Sequence, residues 1–202
     1  MPRPADPAKR RELLERVRGY VLRNGLPGLS LRPLAQALGT SDRMLLYYFG
    51  TKERMLAEAL AGYERRPLLR ARELLESAGS PTDPPALRRF LEEVWRQFTA
   101  PDVRATLPLY LEIMSAGLRH PDRYGSVMRD VVTGWTALLT SVFEDLGMTA
   151  DRARTQATLL ADASFGLLLV PLADGHWDRA EEAFHALLDS LEPGWHVPRA
   201  GG

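Results

Sequence analysis

Several residue types that define whole classes of protein are missing or scarce in this chain of 202 residues. It contains no cysteine, which excludes disulfide bonds, zinc sites built on thiolates and cysteine nucleophiles. The proline-rich, basic stretch "MPRPADPAKRRELLERV" at the start has no apolar core, so we expect no signal peptide. These features are typical of a cytoplasmic protein, which is what we expect here.

Long hydrophobic runs and catalytic motifs are scarce as well. The most apolar stretch, Leu159 to Ala173, contains Asp162 and is shorter than the roughly 20 residues of a membrane-spanning helix, so we expect no membrane partner. We find no nucleophile elbow, no dinucleotide-binding glycine motif and no phosphate-binding loop in the sequence. The four histidines are predicted to lie on loops or on a surface helix. We therefore expect no enzyme activity, no cofactor and no metal.

Strand signals are equally weak, because no segment sustains an alternation of apolar and polar residues. Apolar residues instead recur at three- and four-residue spacing throughout, which predicts amphipathic helices. Glycine, proline and small polar residues divide the chain into about nine helices, with a kink at Pro67 and a break near Pro108. The sequence thus predicts an all-α fold and a frayed tail, "PGWHVPRAGG". The predicted helices span about 8–24, 30–38, 42–48, 52–77, 85–99, 101–119, 122–146, 150–173 and 178–191.

Charge is balanced over the whole chain but not along it. The totals of 26 basic and 26 acidic residues cancel, yet residues 1–60 contain 11 basic and 6 acidic residues. A basic segment in an otherwise acidic chain is typical of a module that faces a polyanion such as nucleic acid. Clustering on an ordinary solvated surface explains the same excess, so charge alone leaves both interpretations open.

A helix-turn-helix pattern occupies residues 31–50. Its fifth position is Ala35, where a small side chain lets the second helix cross closely. Its ninth is Gly39, which tolerates the left-handed backbone that ends the first helix. The apolar positions that join the two helices are Leu34, Leu38, Leu45 and Tyr48. Because many helical proteins contain such a pattern, it does not by itself separate DNA binding from plain packing.

The run "RMLLYYF" within this pattern divides into two faces, because successive helical residues lie 100° apart. The inward face comprises Leu45, Tyr48 and Phe49, and the outward face comprises Arg43, Met44, Leu46 and Tyr47. On the outward face, Arg43 suits guanine or phosphate, Met44 suits a thymine methyl group, and Tyr47 suits a phosphate. The inward face is predicted to anchor the short helix to its neighbours.

The stretch "LSLRPLAQALGTSDRMLLYYFGTKERMLAEAL" resembles the DNA-binding domain of the TetR/AcrR family of bacterial repressors. The shared positions are Ser30, Ala35, Gly39, Ser41, Leu45, Leu46, Tyr48, Phe49, Gly50, Thr51, Lys52 and Glu53. The resemblance implies a DNA-binding domain over residues 8–60 and an effector-binding and dimerisation domain over residues 61–195. The chain departs from the family pattern at Leu46, where an outward tyrosine that contacts phosphate is usual.

The resemblance implies a homodimer that binds a palindromic double-stranded DNA operator and represses transcription until a small-molecule effector binds. With the helical angles above, it implies DNA contacts by Arg32, Thr40, Ser41, Arg43, Met44, Tyr47, Thr51 and Lys52. Ser41 and Thr51 are expected to cap helices whose first amides meet phosphates, and Lys52 to contact a phosphate.

The second half of the chain offers two sets of residues whose roles the sequence leaves open. Large side chains that are either core or the lining of an apolar effector cavity are Trp95, Phe98, Tyr110, Met114, Met128, Trp135 and Phe165. Residues of the last two helices that suit a four-helix bundle across a two-fold axis, or packing within one chain, are Ala157, Ala161, Ser164, Leu168, Ala180, Phe184, Leu187, Leu188 and Leu191. No charge cluster accompanies the first set, so we expect an apolar effector.

The alternative interpretation is an all-helical carrier of small molecules, or an enzyme, in which the helix-turn-helix is only structural. Binding to duplex DNA, with an affinity that falls steeply as salt rises, separates the two interpretations.

Overall fold

The computed structural model describes residues 6–26 and 28–196, and within them it leaves undescribed the side chains at 57, 60–66, 113, 123–128, 130 and 131. Throughout the described residues every regular element is a helix, which confirms the all-α prediction. The nine longer helices of this part are α1 Pro7–Asn24, α2 Leu31–Ala37, α3 Asp42–Phe49, α4 Lys52–Ala78, α5 Pro84–Phe98, α7 Leu107–Arg119, α8 Pro121–Asp145, α9 Ala150–Leu169 and α11 Trp177–Leu191. Two four-residue helices, α6 Pro101–Arg104 and α10 Pro171–Asp174, and a 3₁₀ turn, Glu192–Trp195, complete the set.

Three prolines lie where the sequence predicts a helix, a break or a kink, and one of them changes a predicted boundary. Pro171 begins α10 and divides the predicted helix 150–173 after Leu169, because proline has no N–H for the helical hydrogen bond. The predicted break near Pro108 is real, but it falls at residues 105 and 106, so that Pro108 sits in the first turn of α7. Pro67 lies inside α4 without ending it.

The described chain divides into two compact units. Unit 1 combines the chain up to Arg66 with Pro108–Val131, and unit 2 combines Pro67–Leu107 with the chain from Val132 onward. Helices α4 and α8 therefore contribute residues to both units. The functional domains expected at residues 8–60 and 61–195 stay a prediction, since compactness does not report on function.

The core of unit 1 brings one apolar stripe from each of its N-terminal helices together. On α1 the stripe is Leu13, Val17 and Val21, which recur every four residues and are almost completely buried. The rest of this core is formed by Leu34, Ala35, Leu38, Leu45, Phe49, Met55, Leu56, Ala59 and Leu109. Full burial of one such leucine side chain contributes about 1.5–3 kcal/mol, so the short helices depend on this cluster.

The core of unit 2 is built on α5, α8, α9 and α11. Leu87, Leu91 and Trp95 form the buried stripe of α5, and the Trp95 ring stacks on Phe184 of α11 with 4.2 Å between ring centroids. Trp195, in the 3₁₀ turn after α11, is completely buried. The tail expected to fray is therefore part of the core as far as Trp195, and residues 197–202 lie outside the described residues.

The segment Ala150–Asp174 is, by length and composition, long and apolar enough to cross a membrane, with a mean hydropathy of 1.5. This differs from the expectation from the sequence because the helix begins nine residues before Leu159, so the apolar window extends on both sides of Asp162. Core helices of non-membrane proteins pass the same test. Only 28% of this window is buried within the chain, and its exposed large apolar residues are Leu159 and Val170.

Candidate nucleic-acid interface

The turn between α2 and α3 has the backbone geometry that the sequence predicts. Gly39 has a φ of 59°, in the left-handed region. The Thr40 N–H donates to the Ala35 carbonyl at 2.9 Å, and the Gly39 N–H donates to the Gln36 carbonyl at 3.1 Å. These two bonds form the Schellman motif, which closes a helix on a left-handed residue and here directs the chain into α3.

Caps define where α3 and α4 begin. The Ser41 Oγ accepts the Met44 N–H at 3.2 Å, and the Thr51 Oγ1 accepts the Arg54 N–H at 3.1 Å, as predicted. Ser30 occupies the capping position of α2, but its side chain makes no capping hydrogen bond. The first amides of a helix lack partners within the helix, so the starts of α3 and α4 present N–H groups that suit phosphate oxygens.

The two faces of α3 separate as the helical angles predict. Leu45 and Phe49 are buried, at 0% and 2% exposure, and Tyr48 is half-buried against the core of unit 1. The side chains exposed by about two-fifths or more are those of Met44, Leu46 and Tyr47, and Arg43 is exposed beside them. Three large apolar or aromatic side chains and one arginine thus stand out on a short, anchored helix.

Arg10 of α1 holds the C-terminal end of α3. Its Nε donates to the Tyr48 carbonyl at 3.2 Å, its guanidinium carbon lies 4.9 Å from the centroid of the Phe49 ring, and it pairs with Glu58 of α4. The last carbonyls of a helix lack partners within the helix, and a cation complements the dipole there. In the sequence Arg10 looks like one more member of a basic segment, and nothing near it indicates this role.

Two further arginines of α1 act in the same way. Arg16 donates to the Leu38 carbonyl at the end of α2, and the Nε of the buried Arg18 donates to the Ala59 carbonyl of α4 at 2.9 Å. Part of the basic excess of residues 1–60 therefore serves contacts within unit 1. The only hint in the sequence is that these two arginines stand on either side of Val17, a member of the buried stripe.

The predicted DNA contacts differ in how much of each side chain is available. Arg32 and Arg43 are exposed, and neither forms an ion pair with any described residue. Lys52 is half-buried, and its Nζ donates to the Leu29 carbonyl at 3.0 Å, so one of its three donors is already used. Thr40 is half-buried. The roles of these four residues in DNA binding stay predictions.

Unit 2 contains an apolar cavity of about 50 Å³. Trp95, Phe98, Trp135 and Phe165, four of the seven residues proposed for an effector cavity, line it together with Phe184. Ser164 supplies the only hydroxyl group of the lining. Two other members of the proposed set, Tyr110 and Met114, belong to unit 1 and do not line this cavity, and the Met128 side chain lies outside the described residues.

The residues proposed for a dimer interface mostly face the core of their own chain, which favours packing within one chain, the alternative that the sequence leaves open. The six that are buried in the core of unit 2 are Ala157, Ala161, Leu168, Ala180, Phe184 and Leu188. The other three, Ser164, Leu187 and Leu191, are half-buried. The physical reason is that α9 and α11 pack on each other and on α5 with these faces, so little of their surface is left for a partner.

The histidines do not assemble a metal site. Within the part of the chain that the structure describes, no group of three or more His, Asp or Glu side chains is arranged to hold a metal ion. His120, His176 and His196 are exposed. His185 lies between two carboxylates, with its Nδ1 3.6 Å from Glu92 and its Nε2 3.4 Å from Glu181.

The fold of the chain is similar to that of two solved structures. A protein from Pseudomonas aeruginosa PAO1, whose proposed role is transcriptional regulation, matches with a TM-score of 0.74 and 20% identity over 95% of this chain and 94% of that chain. A transcriptional regulator from Rhodococcus sp. Rha1 matches with a TM-score of 0.72 and 21% identity over 96% and 100%. No protein-family model matches the chain, and no curated protein matches its sequence. At these identities the likeness establishes a shared fold.

Proposed function

We propose that this protein is a DNA-binding transcription regulator of the TetR/AcrR type, which binds a palindromic operator as a homodimer and is released by a small molecule. The observation that carries the proposal is the division of α3 into a buried face and an exposed face. One face of this eight-residue helix is held by the core and by Arg10, while the opposite face exposes Arg43, Met44 and Tyr47. Exposed apolar and aromatic side chains, beside an arginine with no ion pair among the described residues, suit the edges of bases and the adjacent phosphates.

The major groove of B-DNA is wide enough to admit an α-helix, and α3 is the helix that we assign to it. Arg43 then donates to guanine O6 and N7, and Met44 contacts a thymine methyl group. Arg32 and Tyr47, with the capped starts of α3 and α4, meet phosphates on either side. Leu46, which has no hydrogen-bonding group, contributes apolar contact only.

Dimerisation involves the uncovered face of α9 rather than the buried one. Leu159, Ala163, Gly166 and Val170 recur at spacings of four, three and four residues, so they share one helical face. Leu159 and Val170 are 47% and 55% exposed, and a Cβ at Gly166 would meet nothing within 4 Å. A second copy related by a two-fold axis covers this row with the same row of its own chain.

The effector site is the cavity of unit 2. Its aromatic lining and single hydroxyl group favour an uncharged, apolar molecule. A volume of about 50 Å³ is too small for a drug-sized molecule, so binding must move side chains that line the cavity. Coupling of about 1–3 kcal/mol between this site and DNA corresponds to a 5–150-fold loss of operator affinity.

Selection from a library of randomised duplexes with the full-length protein tests the proposal. We expect enrichment of a palindrome with half-sites centred about 34–36 Å apart, or a multiple of this distance. The control is Arg43→Ala with Tyr47→Ala, which leaves the core of unit 1 intact and removes the outward groups. Enrichment by the wild type and none by the double variant is expected. If neither protein enriches any sequence, the proposal is wrong.

The alternative of a small-molecule carrier rests on the same aromatic cavity in unit 2. A carrier binds its ligand whether or not it binds DNA. Fluorescence of Trp95 and Trp135, which line the cavity, reports on ligand occupancy in the absence of duplex. Ligand binding together with a failed selection would favour the carrier.

A further inference from the structure

Unit 1 contains an open cleft, separate from the apolar cavity of unit 2, with a volume of about 560 Å³. Its walls come from three segments: the loop between α1 and α2, the first turns of α4, and the second half of α7. This volume falls within the range of about 300–1,000 Å³ that is typical of small-molecule sites.

The floor of the cleft is apolar, and its rim is mainly cationic. Leu26, Leu29 and Leu56 supply aliphatic surface from the loop and from α4. Lys52 and Arg119 bring two permanent positive charges to the rim, beside the imidazole of His120. A molecule that fits this lining needs an aliphatic or aromatic part and a negatively charged group.

The two permanent charges at the rim have few contacts with the described residues. The Arg119 Nε donates to the Ser115 carbonyl of its own helix at 3.4 Å, and neither Arg119 nor Lys52 pairs with a carboxylate among the described residues. The one carboxylate of the lining, Glu112, accepts the Leu26 N–H at 2.6 Å with its Oε2 and supplies one negative charge against the two cations. The cleft therefore has an excess of positive charge.

We propose that this cleft binds a small amphipathic carboxylate, such as a medium-chain acid, with its hydrocarbon part on the leucine floor and its carboxylate between Lys52 and Arg119. Arg119 pairs with the carboxylate through charge-assisted hydrogen bonds, which are stronger than neutral ones. Lys52 has two further donors beyond the one that meets Leu29.

The site also gives such a ligand a way to act on DNA binding, and this consequence rests on the proposed function. Lys52 lies in the first turn of α4, next to the Thr51 cap, where we assign a phosphate contact. A carboxylate that pairs with Lys52 competes with that phosphate, so the ligand is expected to weaken operator binding. By linkage, operator DNA weakens binding of the ligand by the same factor.

Calorimetric titration of the full chain with octanoate, without DNA, tests the site. We expect saturable binding of octanoate, with octanol and octyltrimethylammonium binding at least about tenfold more weakly, because they lack the negative charge. Arg119→Gln should weaken octanoate binding by about tenfold, whereas Arg72→Gln, an exposed arginine of unit 2, should leave it unchanged.

A second variant shows where octanoate binds. Ser115→Phe places a ring in the cleft at an exposed position and should abolish binding, whereas occupancy of the unit 2 cavity would survive this change. Absence of octanoate binding, equal binding of octanol, or unchanged binding by Ser115→Phe or Arg119→Gln would each overturn the proposal. If octanoate does not bind and Arg119→Gln weakens DNA binding, Arg119 is a phosphate contact instead.

Octanoate binding and duplex binding are measured separately, so each result tests a different proposal. If octanoate binds with the expected pattern and the protein binds no duplex, the octanoate site is supported and the proposed role in transcription is wrong. If the duplex is bound and saturating octanoate leaves its affinity unchanged, competition at Lys52 is wrong.

Discussion

Helices α3 and α9 both carry large apolar residues on two faces, and in each helix one face is buried within its unit while the other is exposed. In α3, Leu45 is buried and Leu46 is exposed, as the helix-turn-helix frame requires. In α9, Leu160 is buried and Leu159 is exposed, and the face assigned to a partner is the one that packs inside the chain. Periodicity defines two faces, but only knowledge of a neighbouring element says which of them is inside.

The largest expected effect is a difference in stability between substitutions on the two faces of α3. Leu45→Ala should cost about 2–5 kcal/mol of unfolding free energy, because it opens a cavity in the core of unit 1. Leu46→Ala, one residue further, should change stability by less than about 0.5 kcal/mol, since its side chain is already 39% exposed. Urea unfolding of both variants measures the difference. An equal loss of unfolding free energy in both variants would mean that both leucines are buried, and α3 would then have no exposed apolar face.

The next effect tests the face of α9 that we assign to the dimer. Leu159→Arg should raise the dimer dissociation constant by about 100-fold, equivalent to about 2.7 kcal/mol, because it buries an unpaired charge in the interface. The monomer should remain folded, since Leu159 is half exposed within the chain. Sedimentation across a range of protein concentrations measures the constant, and circular dichroism checks the fold. A dimer that tolerates Leu159→Arg would have its interface elsewhere.

A smaller effect concerns what Arg43 contacts. Arg43→Ala should weaken binding to the selected operator by about 1–3 kcal/mol while barely changing binding to scrambled duplex, if its guanidinium pairs with guanine. Arg72→Ala, in unit 2, serves as the control. Fluorescence anisotropy with both duplexes measures the ratio. An equal loss of affinity for both duplexes, with a slope of log affinity against log salt concentration that is smaller by about one, would make Arg43 a phosphate contact.

The smallest expected effects are changes in stability of opposite sign at two glycines. Gly39→Ala should destabilise the protein by about 1–2 kcal/mol, because Gly39 has a φ of 59° and a Cβ is unfavourable there. Gly166→Ala should stabilise the monomer by about 0.5–1 kcal/mol, because the residue is helical and nothing in the chain lies near its Cβ. Thermal unfolding at low protein concentration compares them. Destabilisation at both positions would argue that Gly166 also packs closely within the chain.

The parts of the fold that were predictable from sequence are those with local causes. Gly39 donates its N–H, and the Ser41 and Thr51 hydroxyl oxygens accept an N–H, each with a residue three positions away, so these roles follow from spacing alone. The prediction of about nine helices is confirmed for the same reason. The boundaries differ where a single proline, such as Pro171, decides the end of a helix.

The parts that escaped prediction depend on contacts distant in sequence. Arg10 and Arg16 bond to carbonyls 38 and 22 positions away, and nothing in their own neighbourhood separates them from solvent-facing arginines. Trp195 follows a Pro-Gly pair that is typical of a frayed tail, yet its indole fills the core of unit 2. The sequence groups Tyr110 with the predicted cavity residues, although α7 belongs to unit 1 from Pro108 onward.

The measurement that tests the central proposal most directly is the affinity of the wild-type protein for its selected palindrome across salt concentrations. A regulator that makes six to ten phosphate contacts is expected to lose about 10³–10⁵ in affinity between 50 and 200 mM salt. It should also bind the palindrome at least about 10³-fold more tightly than scrambled duplex at physiological salt. Affinities that are equal for the two duplexes, or that do not change with salt, would contradict a role for α3 in reading DNA.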